Sequence, residues 1–294
     1  MKNLILYIIP AFIWGSTWLA ITFQLGVVDP LVSVFYRFLL AAIILFVYCS
    51  MIKMNLKYNT KQHLFMALQG VFLFGINYWL VYLAEVHLKS GLVAVIFSTI
   101  IFMNIFNGVI FLKSKIRMDV VTSALIGFAG IILVFKDHIL DFNFSSEESS
   151  ALLLSFLSVI AASLGNIISA YNQRNKLPVV QTNAYGMLYG SLSMLILVFI
   201  IGTPISFDVS FRYIGSLIYL AVFGSIIAFY SYLTLLGKIG ADRAAYVTLV
   251  FPVIALLLST FFEDYTWSLF ALLGVALITA GNFLMLKKAH EPVK

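Results

Sequence analysis

The chain has 294 residues, 62% of them apolar and 10% charged, with a mean hydropathy of +1.05. A soluble domain of that size cannot hide so much apolar surface, which excludes one and places the chain in a lipid bilayer. The net charge of +6 then concerns orientation in the membrane and implies no nucleic-acid partner.

A helical span needs about 20 apolar residues. Ten segments qualify, at roughly 4–23, 31–52, 63–84, 90–112, 118–135, 151–171, 181–201, 212–236, 241–262 and 267–286. The runs are continuous rather than alternating, which argues against a β-barrel. The first carries Trp14, Ser16 and Thr17, with Trp14 too deep for a headgroup-level belt. It is too long, and too free of an A-x-A-like site, for a cleaved signal peptide, so it is expected to remain a helix. The second holds Arg37, seven residues after Pro30 and therefore roughly 10 Å deep. Burying that charge costs roughly 2.5–3.5 kcal/mol. A structural anchor is the preferred reading, and a gating cation beside the substrate the other. Cys49, the sole cysteine, allows no intrachain disulfide and reads as packing.

The third span carries Asn77, Tyr78 and Tyr82, the two tyrosines four apart on one face. The fourth carries Ser98, Thr99 and Asn104. After the fifth comes KDHILDFNFSSEESS, Lys136 to Ser150, the only polar linker of any length. Ser163 and Asn166 fall in the sixth span. In the seventh, Gly186 and Gly190 form G-x-x-x-G, whose plain reading is close packing and whose sharper reading is a homodimer face. The eighth holds Tyr230 and Tyr232, and the ninth Tyr246, Thr248 and Pro252. Pro252 lacks an N–H, which frees a carbonyl inside the membrane and predicts a cavity-facing kink.

Read against itself with a shift of 150, the chain aligns Tyr82 with Tyr232, Ala94 with Ala244 and Phe111 with Phe261. Two copies of five spans follow, 1–136 and 151–294, joined by a periplasmic linker at 137–150. An odd number of spans inverts the second copy, and such repeats put a substrate path between their halves. Lys53, Lys57, Lys61, Lys113, Lys115, Arg117, Arg174, Lys176, Lys238, Arg243, Lys287 and Lys288 fall on one face, against Lys89, Lys136 and Arg212 on the other. Positive residues favour the cytoplasm, so both termini are expected there.

The stretch PAFIWGSTWLAI from Pro10, then PLVSVFYRFLLAA from Pro30, resembles the opening of the EamA-like branch of the drug/metabolite transporter superfamily. GADRAAYVTLVFPVIALLLSTFFEDYTW, Gly240 to Trp267, and the pair Gly274 and Gly281 extend the resemblance over nearly the whole chain. Phe102 and Lys113 depart from the pattern, standing where the second copy has Pro252 and Glu263. The resemblance implies ten helices, cytoplasmic termini, an inner-membrane location and outward movement of metabolites such as amino acids.

The expected site is one shared cavity lined by Trp14, Asn77, Tyr78, Tyr82, Ser98, Tyr246 and Thr248. Arg37 and Pro252 are expected to act structurally or in gating. The sequence shows no metal cluster, phosphate loop or nucleophile motif, so no cofactor is expected, and the loops are too short for an ATPase domain. Glu85 and Glu263 fall at outer span ends and no carboxylate at mid-span, so flux is expected to follow the substrate's own gradient. That absence also argues against efflux of organic cations by the same fold. A membrane enzyme or lipid-handling protein would call for clustered His or acidic residues at one interface.

Overall fold

In the computed structural model the described residues are 2–88, 90–134, 136, 146–262 and 267–289. Every regular element among them is helical. They are α1 (Lys2–Thr22), α2 (Pro30–Met51), α3 (Thr60–His87), α4 (Ser90–Phe97), α5 (Ile100–Leu112) and α6 (Met118–Val134). Then come α7 (Ser146–Arg174), α8 (Val179–Ile201), α9 (Phe211–Ile239), α10 (Ala241–Ala244), α11 (Val247–Phe262) and α12 (Leu269–Ala289). Six helices among the described residues, α1, α2, α3, α7, α8 and α9, are long and apolar enough to cross a membrane.

Local chemistry sets several helix ends. Asp29 caps α2 by accepting from Leu31 N at 2.8 Å, with Pro30 in the first turn, where its missing N–H costs nothing. Asn59 and Gln62 form a reciprocal capping box on α3, both bonds 2.9 Å. Gly202 ends α8 at φ 76°, a left-handed conformation that glycine adopts without strain.

Positions 150 apart recur as structure. α3 passes through a π-helical segment at Gly70–Ile76, and α9 through another at Leu220–Ile227. The packing has the same symmetry: α1 lies on α11 as α5 lies on α7, and α3 lies on α7 as α1 lies on α9. α6 and α12 run antiparallel. A Cβ on Gly130 would meet Gly274 O at 2.6 Å, and one on Gly281 would meet Ser123 O at 2.8 Å. Only glycine allows backbones to come that close.

Two expectations change. The fourth and ninth spans are each broken, between α4 and α5 at Ser98–Thr99 and between α10 and α11 at Ala245–Tyr246. The helix runs on through Pro252, and the interruption lies six residues earlier. The carbonyl that Pro252 frees belongs to Thr248, and Ser98 Oγ donates to it at 3.1 Å, so the cost of the missing N–H is met by the other copy. Gly186 and Gly190 pack inside the chain against Gly70 and Phe74, so they are not free to form a dimer face. The linker at 137–150 lies outside the described residues up to position 145, and Ser146–Ser150 already form the first turns of α7. Glu263 also lies outside them.

Candidate functional site

A chamber of about 50 Å³ lies between the two copies. α1 contributes Trp14, Thr17, Trp18 and Ile21, and α3 contributes Leu73, Asn77, Tyr78 and Val81. Phe97, Ile100, Ala162, Asn166, Phe229, Tyr232, Thr248 and Phe251 complete the wall. Its rings interlock. Trp14 sits 5.0 Å from Phe229 and 5.1 Å from Tyr232, centroid to centroid, and Trp18 sits 5.5 Å from Phe251. Trp14 Nε1 donates to Gly224 O at 3.1 Å, in the second π-helical segment, which fixes the indole across the two copies. Three polar atoms in this apolar wall are buried without a partner: Trp18 Nε1, Asn77 Oδ1 and Asn166 Oδ1. Unpaired buried polar atoms cost stability and mark places where a ligand can supply the missing bond.

A second cavity, of about 460 Å³, opens on the basic face. It runs from Asn104 on α5 out to Lys115, Arg117, Arg174, Lys238 and Asp242. Arg117 is held by Asp119 at 2.6 Å. A thin polar partition separates this vestibule from the chamber. Asn166 Nδ2 donates to Tyr232 OH at 3.0 Å and approaches Asn104 Oδ1 at 3.5 Å, while Asn104 Nδ2 donates to Ala241 O at 3.1 Å.

The opposite side is closed. Gln24 Nε2 donates to Tyr213 O at 3.0 Å and to Ser216 Oγ at 2.6 Å, and Ser33 Oγ meets Tyr213 OH at 3.0 Å. All four residues are buried.

Of the residues expected to share one cavity, Trp14, Asn77, Tyr78 and Thr248 line the chamber. Ser98 lies behind the wall, bonded to Thr248 O. Tyr246 is elsewhere. Its hydroxyl donates to Val120 O and its carbonyl accepts from Tyr7 OH, so it ties α11 to α1 and α6 near the basic face. Tyr82 also stands outside the chamber, at Arg37. That arginine is fully buried, as its depth in the span requires. Nε donates to Ser225 Oγ at 3.0 Å and Nη1 to Tyr82 OH at 3.4 Å. Its guanidinium lies over the Tyr78 ring at 4.4 Å. Arg37 thus braces the back of the chamber through Tyr78 and does not line it. Pro252 lies outside the chamber lining.

Sequence reasoning passed over Trp18, Phe97, Phe229 and Phe251, which look like any aromatic in an apolar run. It placed Glu85 at an outer span end, but Glu85 is only 8% exposed, with both carboxyl oxygens unpartnered. The expectation of flux without ion coupling rested on the absence of a carboxylate at mid-span, and Glu85 stands near the helix end at His87.

The model of the EamA-like transporter family matches residues 1–136 and 149–287. The uncharacterized inner membrane transporter YedA of Escherichia coli K12 is 30% identical over 282 residues, 92% of this chain and 89% of its own length. Protein PagO of Salmonella typhimurium LT2 is 26% identical over 292 residues, covering 98% and 94%. A solved crystal structure superposes with a TM-score of 0.79 over 98% of this chain and 97% of that one, at 16% identity, a likeness of fold alone.

Proposed function

This chain belongs to the EamA-like transporter family, a family of transporters and not of enzymes, and from that premise we propose that it carries small solutes across the inner membrane by alternating access. The moving parts are two inverted five-helix halves, 1–136 and 151–294, linked outside at 137–150. Together they make ten spans with both termini in the cytoplasm. The observation that carries this reading is the chamber between the copies, with its unpaired Trp18 Nε1, Asn77 Oδ1 and Asn166 Oδ1. It sits beside a vestibule open on one face and beneath a hydrogen-bonded seal on the other. This is the arrangement of a carrier open toward the cytoplasm.

The wall selects the substrate class. Aromatic rings favour an apolar or aromatic portion. One unpaired donor and two unpaired acceptors ask for a group that both accepts and donates, as the ends of an amino acid or a related zwitterion do. The vestibule admits a molecule of that size at about 460 Å³. The chamber, at about 50 Å³, holds it only after Trp14, Phe229 and Tyr232 separate. Transport is outward, from vestibule to chamber to periplasm. No carboxylate lines the chamber to hold a lone organic cation, which sets drug efflux second.

Counterflow in proteoliposomes tests the class with a panel of labelled aromatic, aliphatic, acidic and basic amino acids and organic cations. Aromatic and aliphatic zwitterions are expected to exchange, and Asn77→Ala and Trp18→Phe to weaken that exchange about tenfold by removing one hydrogen bond each. Exchange of organic cations alone would reverse the ranking. Orientation is checked separately in a Cys49→Ser background. Cysteine at Ser146 is expected to react with an impermeant thiol reagent from outside and cysteine at Asn59 not to, and the opposite pattern would invert the topology.

A further inference from the structure

Glu85 is the group that this reading leaves unused. It completes a stripe on one face of α3, after Tyr78 and Tyr82, at spacings of four and three residues. Tyr78 carries the Arg37 guanidinium on its ring and Tyr82 meets Nη1. One turn further out, both Glu85 carboxyl oxygens are buried without a hydrogen-bond partner, and so is Arg37 Nη2. Among the described residues Glu85 makes no ion pair, although the charge of Arg37 acts on it. The other titratable or charged groups nearby are Tyr78, Tyr82 and His87 on its own helix, Glu147 and Glu148 at the start of α7, and Tyr213 on α9, while α4 brings none. Lys89 follows in sequence and lies outside the described residues.

An ionised carboxylate left unpaired in an apolar interior is costly, and a neutral carboxyl is far less so. A guanidinium nitrogen without an acceptor and a carboxyl without a donor are two halves of an ion pair held apart. The node also has a mechanical link to the outer seal. Ser33 and Arg37 lie four apart on α2, Ser33 bonded to Tyr213 and Arg37 to Ser225, both on α9. A shift of α2 that carries Arg37 toward Glu85 would move Ser33, on the same face, relative to Tyr213 as well.

We propose that Glu85 is a proton-binding site that controls the outer seal. It holds a proton while that side is closed, as in this structure. When the side opens, the carboxyl O–H bond breaks, the proton passes to the outer solvent, and the carboxylate pairs with Arg37, which stays charged throughout. The proposal rests on the alternating-access reading, and its test needs no substrate.

Spin labels at Val27 and Val209, both well exposed beside the outer ends of the halves, report the opening by pulsed dipolar distances in lipid nanodiscs, in a Cys49→Ser background. The measurement is made as a pH series from about pH 5 to about pH 9, which brackets carboxyl titration in apolar surroundings and gives its midpoint. The short distance is expected to dominate at the lower pH and the ratio of long to short to rise about tenfold at the higher. Glu85→Gln is expected to stay short at both ends, while His87→Gln keeps the response. Glu85→Asp is expected to move the midpoint, so an unmoved midpoint overturns the proposal even where Glu85→Gln fails to fold. A full response in Glu85→Gln, or its loss only in His87→Gln, overturns it too. Both distances present but independent of pH defeats the proton site alone. A short distance under every condition defeats the proton site and the alternating-access reading together.

Discussion

The two ends of the inter-copy cavity are closed by different means. On the side away from the basic face, side chains bond across the copies: Gln24 to Tyr213 and Ser216, and Ser33 to Tyr213, all in a buried layer. On the basic side a vestibule of about 460 Å³ reaches in as far as Asn104, where the Asn104–Asn166–Tyr232 partition stops it. Interhelical side-chain bonds in membranes contribute modestly, roughly 0.6–2 kcal/mol each. A seal made of two or three of them is weak enough for the binding energy of a ligand or a proton to match. The difference teaches that a few polar contacts, rather than apolar packing alone, close each end of the cavity in this structure.

Arg37→Ala would break that comparison most severely. It takes the donor from Ser225 Oγ, which keeps its own bond to Leu220 O, deprives Tyr82 OH of its donor and removes the cation beneath Tyr78, for an expected loss of about 3 kcal/mol. Heating followed by size-exclusion chromatography measures it, and a stable variant that no longer transports would move Arg37 into the substrate site. Gln24→Ala removes two bonds of the outer seal. It should raise the rate at which an impermeant reagent labels cysteine at Ile21 from outside about tenfold, and an unchanged rate would mean that the seal lies elsewhere. Tyr232→Phe deletes the acceptor of Asn166 and should loosen the inner partition by about 1 kcal/mol, read as faster labelling of the same cysteine from the cytoplasmic side. Ser98→Ala is expected to cost least, about 0.6 kcal/mol, through the stranded Thr248 carbonyl. Pro252→Ala returns an N–H to that carbonyl, so Ser98→Ala should cost almost nothing in its background. An equal cost in both backgrounds would dissolve the pairing.

Much of the frame was legible because length and polarity write it directly. The span expected at 31–52 is helix Pro30–Met51, and the duplication reappears as paired π-helical segments. The breaks at Ser98–Thr99 and Ala245–Tyr246 were not legible, since both lie within apolar runs with no glycine or proline at the break. Proline drew attention to position 252, where a hydroxyl from the other copy satisfies the freed carbonyl and the helix continues. The chamber was half legible. Asn77, Tyr78 and Thr248 announced themselves by polarity and Trp14 by its depth, but an aromatic ring carries no such mark. Phe199 is 70% exposed on the outside of α8 and Phe251 is 1% exposed in the chamber wall, and nothing local tells them apart. Glu85 stands at a helix end as expected, but its burial was not legible, because it depends on α7 packing across α3, a contact between segments far apart in sequence.

The Ser98 hydroxyl has one hydrogen and two carbonyls in reach, Thr248 O at 3.1 Å in the opposite copy and Ala94 O at 2.9 Å one turn back on its own helix. Pointed at Thr248 O, the hydrogen ties α11 to the first half; turned about the Cβ–Oγ bond, it serves Ala94 O on its own helix instead, with no change in the position of Oγ. Because the donor is satisfied in either position, giving up the contact with α11 would leave bare only a single carbonyl, one that proline has already disconnected from its helix.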